Sequence, residues 1–491
     1  MKKMPSIDTC PICINNPLDD ESRTSSTNIS WLQCEPCKQW FHTQCLQLTP
    51  LEINNLHSYH CKDCIPKHGD SIYKRKSKRA KVSIDYVALN EGDTFAVDKS
   101  CHPHLPKFLE FSNPESKLNP HLNYVDELTK EYALSTEMKK PILIRKANLS
   151  KVGMELPIPR NKIDIQYITS KVGDDHPVEV MDVLSQQSVS PGWKMGQWRD
   201  YFLTDENSRD RIRNVISLEI SQAKGLGDSF KRPTMVEELD LVDKVWNPND
   251  EQSRSKVTKY CLMSVKNSFT DFHIDFGGTS VYYTVCKGLK TFMMYPPTQD
   301  NLDLYTSWCL EQTQNFIWFG EYSITKNKKR ISPKDGFKVT LEEGDLFIIP
   351  SGWIHAVHTP QDSLVIGGNY LTLRDMKMQL KINDIERKTR VPSRFRFPMF
   401  NKVIWLTGWY YLNHKDEFIE DIHSKEIKSE NTNDEYELLD SLVNHLEWHL
   451  ELSKTNTSAK RSIPIDLVGK PPVDFINKLA EWRDTFTKTT Q

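Results

Sequence analysis

The chain has 491 residues, a formal net charge of -2, 38% hydrophobic residues and 26% charged residues. This length allows two to four domains with at least one large core, and the near-neutral charge argues against a chain that binds nucleic acid over its whole surface. No apolar run approaches the ~20 residues of a membrane helix, and the amino terminus lacks the apolar segment of a secretion signal, so we expect an intracellular chain with no membrane partner.

Cysteine is concentrated at the amino terminus, where seven of the 11 cysteines lie before residue 65. With one histidine they follow the spacing C-x2-C-x20-C-x2-C-x4-H-x2-C-x15-C-x2-C. Each CxxC places two thiolates on one tight turn, where both can reach a metal at ~2.3 Å. Eight ligands make two closed tetrahedral sites, so we predict two structural zinc ions that supply much of the folding energy of so small a unit. The predicted ligands are Cys10, Cys13, Cys34, Cys37, His42, Cys45, Cys61 and Cys64.

This order of four cysteines, one histidine and three cysteines, with Trp40 two residues before the histidine, resembles a PHD finger, which we place at 6–66. The resemblance implies that the finger reads a methylated histone tail. Trp31 stands where a cage tryptophan is expected, and an indole face attracts a methylated ammonium group; the alternative for Trp31 is ordinary packing. The resemblance also implies interleaved zinc sites, one formed by Cys10, Cys13, His42 and Cys45 and the other by Cys34, Cys37, Cys61 and Cys64.

A polar, basic segment at 67–84 follows the finger and is predicted to be a solvated linker. Its cations can serve as a nuclear localisation signal or contact nucleosomal DNA phosphates. We therefore expect a nuclear protein that meets nucleosomes and touches DNA without sequence preference; the alternative is a plain linker. The cations of this run are Lys74, Arg75, Lys76, Lys78, Arg79 and Lys81.

Between residues 85 and 400, short β-branched or aromatic runs bounded by Gly or Pro alternate with helical patterns. Runs such as TSVYYTV, KTFMMYPP and GDLFIIPSG predict a β-sandwich or barrel core with helices around it. Residues 401–491 are expected to be mainly helical, because apolar residues from Leu439 to Leu450 recur at helical spacing. We expect these helices to pack against the main domain, although a separate partner helix would show the same pattern.

Charged side chains interrupt the apolar stretch FTDFHIDFGG at 269–278. His273 and Asp275 are two residues apart, and side chains at i and i+2 of a strand share one face. With His355, in LEEGDLFIIPSGWIHAVHT, they form H-x-D-x79-H. Two histidines and one carboxylate suit non-haem Fe(II) and leave three positions open. His358 is a rival third ligand, but on an extended strand it faces away from His355.

Three open positions favour a cosubstrate that occupies two of them and O2 that occupies the third. A 2-oxo acid binds in this way, and its distal carboxylate then needs a cation and hydroxyl groups inside the core. Lys290 lies on an apolar strand, where a lysine is costly unless it meets an anion. Thr270 supplies a hydroxyl group three residues before His273. The alternative for Lys290 is an edge residue whose charge reaches solvent.

The stretch YCLMSVKNSFTDFHIDFGGTSVYYTVCKGLKTFMMYPPT resembles the JmjC domain of lysine demethylases, and the similarity covers about residues 140–375. It is most similar to the branch that acts on lysine 36 of histone H3. The resemblance implies an α+β fold with a double-stranded β-helix core, of the jelly-roll or cupin type. It also implies iron ligands and 2-oxoglutarate contacts, which are His273, Asp275 and His355 for iron and Thr270, Lys290 and Tyr283 for 2-oxoglutarate.

The implied activity is demethylation of mono- or dimethylated lysine 36 of histone H3 by Fe(II), 2-oxoglutarate and O2, with release of formaldehyde and succinate. The alternatives are a protein hydroxylase of the same fold and a chromatin reader without catalysis. Gly277 and Gly278 are expected to let a histone backbone approach the site closely.

The chain departs from the family pattern in two places. The CpG-binding zinc module, F-box and leucine-rich repeats of animal members are not visible, and a finger ahead of the JmjC domain resembles the fungal arrangement. Where relatives carry Val-Trp-Tyr-His, this chain carries Val281, Tyr282, Tyr283 and Thr284. We expect this second change to alter the shape of the pocket.

Overall fold

A computed structural model of the chain describes residues 10–12, 31–43, 45–46, 48, 53, 56–73, 101–112, 119–424 and 433–486. The predictions for Cys13 and for the basic run at 74–81 lie outside the described residues. The chain divides into two compact units, Met1–Ser83 and Ile84–Gln491. Within the described ranges, no helix is both long enough and apolar enough to cross a membrane.

The described residues of the first unit include two short antiparallel strand pairs and the short helix Ile65–His68. Strand β1 pairs with β2, and β3 pairs with β4. Among its described residues, the buried apolar side chains are Phe41, Leu56 and four cysteines. So little apolar surface cannot stabilise a fold alone, which is why metal binding is expected to contribute. The elements are β1 (Trp31–Gln33), β2 (Trp40–His42), β3 (Leu56–Ser58), α1 (Ile65–His68) and β4 (Ile72–Tyr73).

The second unit is built around a large β structure. The early strands of its main sheet are short and lie towards the two edges, whereas the two longest strands cross its centre. The strands are β5 (Asn123–Tyr124), β6 (Ile142–Ile144), β7 (Pro177–Val178), β8 (Met181–Asp182), β9 (Gln187–Ser188), β10 (Trp193–Lys194), β11 (Arg213–Glu219), β12 (Tyr260–Ser264), β13 (Phe269–His273), β14 (Ser280–Tyr295), β15 (Ile324–Lys326), β16 (Lys329–Ile331), β17 (Phe337–Leu341), β18 (Leu346–Ile349) and β19 (Ile354–Tyr370).

Strands β14 and β19 form one long antiparallel ribbon that belongs to two layers. Towards one end, β18 joins β14 and β12 joins β19; towards the other, β17 joins β14 and β13 joins β19. Register shifts interrupt the ribbon between Val285 and Thr291, where the two layers part. The first layer continues through β6 and β5 on one side and through β11, β8 and β9 on the other. This arrangement is a double-sheet jelly roll.

Apolar side chains fill the space between the layers and also cover their outer faces. The inner cluster takes residues from β14, β17, β18 and β19 and includes Tyr283, Phe292 and Phe347. A larger outer cluster joins the layers to helices α2–α6 and α8. These helices, with α7, are α2 (Leu105–Glu110), α3 (Lys130–Ser135), α4 (Ile165–Val172), α5 (Met195–Leu203), α6 (Thr234–Leu239), α7 (Leu241–Val245) and α8 (Gln299–Leu310).

The carboxyl-terminal helices share a third apolar cluster with α7 and with the residues after β19. A buried carboxylate adds a polar connection, since Asp421 accepts hydrogen bonds from Lys130 at 2.6 Å and from Tyr411 at 2.7 Å and also pairs with Lys244. Removing one partner of such a group leaves a buried charge uncompensated. The helices are α9 (Met376–Lys388), α10 (Phe400–Asn413), α11 (Lys415–Ile422), α12 (Asn433–Ser453), α13 (Thr457–Arg461), α14 (Ile465–Val468) and α15 (Pro472–Arg483).

The predicted β core, its surrounding helices and the helical carboxyl-terminal region are confirmed. The apolar stripe of the tail packs against the main domain, because Leu439, Leu442 and Leu446 lie in one cluster with Leu241 and Leu371. Helix α9 begins inside the segment 85–400 that the sequence assigns to the catalytic domain. The boundary at 400 stays a prediction.

Substitutions at two glycines distinguish the cost of backbone strain from the cost of a close contact. Gly173 has φ of +95° with no atom within 4 Å of an added Cβ, whereas Gly278 has φ of +65° and its added Cβ would lie 2.9 Å from Gln379 Cα. We expect Gly173→Ala to cost about 1–3 kcal/mol through strain, and Gly278→Ala to cost about 1–3 kcal/mol more through overpacking. Denaturant unfolding of the full chain measures both. Equal losses would contradict the close approach of α9.

Candidate metal and cosubstrate site

The H-x-D pair and the downstream histidine converge on one point of the second unit. The ligand atoms of His273, Asp275 and His355 all lie within 4.8 Å of one another. His355 Nε2 is 3.9 Å from Asp275 Oδ2, and the two imidazole centroids are 4.3 Å apart. Two imidazoles and one carboxylate around a common point form the facial donor set of a divalent transition metal.

Strand pairing places the two histidines, and a turn places the aspartate. In the pairing of β13 with β19, His273 lies opposite His355. Strand β13 ends at His273, and a 3-10 turn follows at Phe276–Gly278. Asp275 directly precedes this turn and has φ of -57° and ψ of 138°. The expectation that His273 and Asp275 share one face of a strand is therefore wrong. The chain leaves the strand between them, and the turn returns the carboxylate to the histidines.

Backbone carbonyl groups orient both imidazoles. His273 Nδ1 lies 2.8 Å from the carbonyl oxygen of Asp271, and His355 Nδ1 lies 3.1 Å from that of Trp353. A ring N–H that donates to a carbonyl leaves Nε2 with its lone pair for a metal. The rings are thus fixed in the tautomer and orientation that coordination requires.

Desolvation shifts the protonation of the ligands. Burial, with His273 adding to it, lowers the pKa of His355 well below its usual range, so this imidazole is neutral. Burial raises the pKa of Asp275 to about 6, although His273 and the side chain of Asn369 act in the opposite direction. A divalent cation would favour the ionised carboxylate. These residues fit a divalent metal.

His358 is placed away from this group. It lies opposite Phe269 and Thr291 in the sheet, and its ring centroid is 5.8 Å from that of Phe108, in the outer cluster. Burial lowers the pKa of His358 to about 4. The structure brings His355, and not His358, to His273 and Asp275.

Lys290 is a buried lysine that contacts hydroxyl groups and, among the described residues, no carboxylate. Its side chain is 3% exposed, and Nζ donates to Ser264 Oγ at 2.5 Å and to Thr359 Oγ1 at 2.9 Å. Burial lowers its pKa to about 7. Because the charge does not reach solvent, Lys290 is not an edge residue of the snorkelling kind. A buried ammonium group with two neutral partners suits an anionic ligand.

Two residues that the sequence reasoning missed connect Lys290 to Thr270. Ser264 Oγ donates to Asn214 Oδ1 at 2.6 Å, and Asn214 Nδ2 lies 3.5 Å from Thr270 Oγ1. Both are buried polar residues that adjoin apolar residues in their strands, Val215 in RNVISLE and Met263 in YCLMS. That pattern was the available signal, because buried polar side chains need partners. The network offers an anion one cation and several hydrogen-bonding groups.

Tyr283 lies in the inner cluster, 5% exposed, with its ring centroid 5.4 Å from that of Phe292. Burial raises its pKa far above the usual range, and the nearby Asp275 adds to the shift. The phenol therefore keeps its proton and can donate it in a hydrogen bond.

The residues beside Tyr283 point the other way. Tyr282 donates to the carbonyl oxygen of Thr258 at 2.5 Å and packs in the outer cluster. Thr284 donates to the carbonyl oxygen of Asp345 at 3.1 Å and accepts from Arg160. The expectation that the Tyr282 and Thr284 departures alter the pocket is wrong, because neighbouring side chains of a strand alternate between faces.

The role expected for the two glycines is also wrong. Gly277 and Gly278 are buried. An added Cβ would lie 2.8 Å from Phe397 Cβ at Gly277 and 2.9 Å from Gln379 Cα at Gly278. The carboxyl-terminal helical region, rather than a histone backbone, occupies the space beside these glycines.

A second histidine and aspartate cluster, also missed from the sequence, lies behind β13. His104 Nδ1 lies 3.0 Å from Asp271 Oδ1, and His102 Nδ1 accepts the backbone N–H of His104 at 3.2 Å. All three side chains are at most 9% exposed. Since the carbonyl oxygen of Asp271 also holds His273 Nδ1, this cluster supports the strand that carries His273. Nothing in the isolated HPH triplet indicates this contact, which spans 167 residues.

The first unit brings its cysteines together in the two groups that the finger resemblance implies. One group is Cys34, Cys37, Cys61 and Cys64, and the other is Cys10, His42 and Cys45, each with ligand atoms within 4.8 Å of one another. In the first, Cys37 Sγ and Cys61 Sγ are 3.8 Å apart; in the second, Cys45 Sγ and His42 Nδ1 are 3.7 Å apart. Thiolate-rich groups of this kind fit Zn²⁺. Cys13 is outside the described residues.

Trp31 lies against the second of these groups. It is opposite His42 in the pairing of β1 with β2, and the two ring centroids are 4.0 Å apart. Trp31 is partly buried against the core of the finger. The structure thus gives the indole a packing contact, and its role in a cage stays a prediction.

Comparison with known proteins identifies two family models and a set of fungal relatives. A cupin-like domain matches residues 168–375, and a Jumonji helical domain matches residues 374–446. A relative from Candida albicans is 62% identical over 97% of this chain and 98% of its own length. One from Debaryomyces hansenii is 56% identical over 98% and 99% of the two chains, and one from Saccharomyces cerevisiae is 36% identical over 82% and 88%.

Each of these three relatives is named JmjC domain-containing histone demethylation protein 1. The first two cover nearly the whole of both chains at more than half identity. The cupin-like match spans the strands that carry the three candidate metal ligands, and the helical match begins just before α9. The chain belongs to the family of JmjC domain-containing histone demethylation proteins 1.

Proposed function

We propose that this protein is a Fe(II)- and 2-oxoglutarate-dependent histone lysine demethylase that acts on mono- and dimethylated lysine 36 of histone H3. The observation that carries the proposal is the pairing of two features inside one core. Three ligand atoms converge on one point, and a buried lysine without an anionic partner lies in the same interior. The names of the relatives support the histone substrate.

Different residues bind the metal and the cosubstrate. Bound Fe(II), with 2-oxoglutarate and O2, supplies the oxidising chemistry that removes an N-methyl group as formaldehyde and leaves succinate. His273, Asp275 and His355 hold the metal. Lys290 binds the distal carboxylate of 2-oxoglutarate, and Thr270, Asn214 and Tyr283 add hydrogen bonds. The apolar inner cluster excludes water and holds the reactants in place.

The first unit is proposed to bring this chemistry to chromatin. Two zinc ions hold the finger, with Cys13 completing the group of Cys10, His42 and Cys45. The finger reads a methylated histone H3 tail, with Trp31 facing the methylated ammonium group. The basic run at 74–81 directs the protein to the nucleus and contacts nucleosomal DNA phosphates.

Replacement of the metal ligands tests the proposed reaction directly. We expect His273→Ala and His355→Ala to abolish formaldehyde release from methylated histone peptides, because each removes one of three ligands. His358→Ala is the matched control and should keep substantial activity. The assay compares lysine sites and methylation states with Fe(II) and 2-oxoglutarate present. Release only from non-histone proteins would favour a hydroxylase of another substrate, and no turnover at all would favour a reader.

Lys290→Ala should act on the cosubstrate and not on the metal. Hydrogen bonds to charged groups contribute about 1.5–3 kcal/mol, so the apparent KM for 2-oxoglutarate should rise roughly tenfold to more than a hundredfold. Lys287→Ala, a half-exposed lysine of the same strand, is the control. An unchanged KM in Lys290→Ala would show that the lysine is structural.

Lys290 should also make stability depend on pH when 2-oxoglutarate is absent. Its pKa is lowered to about 7 in the folded state, while an unfolded lysine keeps a pKa of ~10.4. Burial of the charge therefore destabilises the fold fully below pH 7, and this cost disappears as pH rises from 7 to 10.4. The stability advantage of Lys290→Met should shrink by up to about 1.4 kcal/mol per pH unit over that window. A constant difference, or the same trend in Lys287→Met, would contradict it.

A further inference from the structure

The turn that carries Asp275 is short and held from the side of β19. Gly278 N donates to the carbonyl oxygen of Asp275 at 3.0 Å, which closes the turn. Asn369, on β19, donates to Thr279 Oγ1 at 2.8 Å and also hydrogen-bonds Asp275. This side of the turn is therefore fixed by the same ribbon that carries His355.

Helix α9 lies against the other side of the turn at backbone distance. An added Cβ on Gly278 would lie 2.9 Å from Gln379 Cα and 3.0 Å from Ile382 Cβ. Both glycines of the turn have positive φ, +62° for Gly277 and +65° for Gly278. The turn can adopt this backbone and admit the helix only because both residues lack a side chain.

One side chain of α9 bonds directly to the turn. Glu386 is 7% exposed, and its Oε1 accepts the backbone N–H of Gly277 at 2.7 Å. Its other oxygen, Oε2, is buried and has no hydrogen-bond partner among the described residues. The guanidinium group of Arg396 donates to the carbonyl oxygens of Val391 and Glu386, not to the carboxylate.

Burying the Glu386 carboxyl group is an unfavourable way to satisfy the hydrogen bond of one backbone amide. A buried carboxyl group with a single hydrogen bond costs free energy that an apolar residue in the same place would not. The hydrogen bond is made two residues after Asp275, at the Gly277 amide inside the turn. A side chain that holds the backbone next to a metal ligand fixes the orientation of that ligand.

We propose that Glu386 is a positioning residue for the metal site, which by holding the Gly277 amide aims the Asp275 carboxylate at the two histidines. The inference rests on the proposed function, since it assigns Asp275 to a metal. It makes helix α9, in the carboxyl-terminal helical region, part of the metal site. Glu386 itself does not touch metal or substrate.

Mn(II) binding to the full chain tests this without any turnover. Mn(II) accepts imidazole and carboxylate ligands and does not compete well for thiolate sites, so the zinc groups can stay loaded while free Mn(II) is followed by electron paramagnetic resonance. Glu386→Ala should weaken Mn(II) binding about tenfold to a hundredfold, the range seen when a group behind a metal ligand is removed. His273→Ala defines the signal of the ligand site.

Three further variants separate positioning from folding. Glu386→Gln keeps an acceptor for the Gly277 amide and should bind Mn(II) within about threefold of wild type, well short of the loss expected for removing the group. Glu386→Asp keeps the carboxyl group but moves it back by one methylene, so this variant should bind Mn(II) weakly even if Glu386→Ala does not fold. Asp384→Ala, on the same helix and half exposed, should match wild type.

The outcomes are distinguishable. Wild-type affinity in Glu386→Ala or Glu386→Asp, or equal losses in Glu386→Gln and Glu386→Ala, would overturn the positioning role while leaving the proposed demethylase intact. Mn(II) binding that His273→Ala does not reduce would remove the metal assignment itself, and with it both proposals.

Discussion

The antiparallel pairing of β14 with β19 is the interaction on which the rest of the second unit depends. The ribbon runs through both layers, so its backbone hydrogen bonds hold the layers in one register. It carries Tyr283 and Lys290 on one strand and His355 on the other. Every residue of this unit that is proposed to bind iron or 2-oxoglutarate lies on this ribbon, on a strand of its two layers, or in the turn that follows β13.

The irregular middle of the ribbon decides which side chains meet. Tyr283 and Lys290 are seven residues apart, and strict alternation would put them on opposite faces of β14. The register shifts between Val285 and Thr291 change that alternation, so that Tyr283 packs with Phe292 while Lys290 is also buried. A similar shift in the pairing of β13 allows Thr270 and His273 to serve the same interior. Irregularities of this kind re-aim side chains and are typical of sites.

The interior combines apolar packing with groups that would be unfavourable in an ordinary core. Lys290 is desolvated without an anion, and Glu386 is buried with one partner. Each departs from the rule that buried ionisable groups are paired, and each lies where ligand or metal geometry needs it. Helices outside the cupin-like match take part in this arrangement, because α9 closes against the Gly277 and Gly278 turn. The carboxyl-terminal helical region is therefore a structural part of the site.

Residue type and short spacing by themselves determined the candidate metal ligands and the β core of this protein. CxxC pairs and an H-x-D motif indicate metal ligands because thiolate, imidazole and carboxylate groups bind metals and a short spacing lets two of them reach one ion. The β core follows from short runs bounded by Gly and Pro. The tertiary structure alone decided that His355 rather than His358 completes the group, that Tyr282 and Thr284 face outward, and that His104 and Glu386 support the ligands. The contacts of His355, His104 and Glu386 join residues more than 70 positions apart in the chain. They depend on strand register and helix docking, which are set by packing over the whole unit and leave no local pattern.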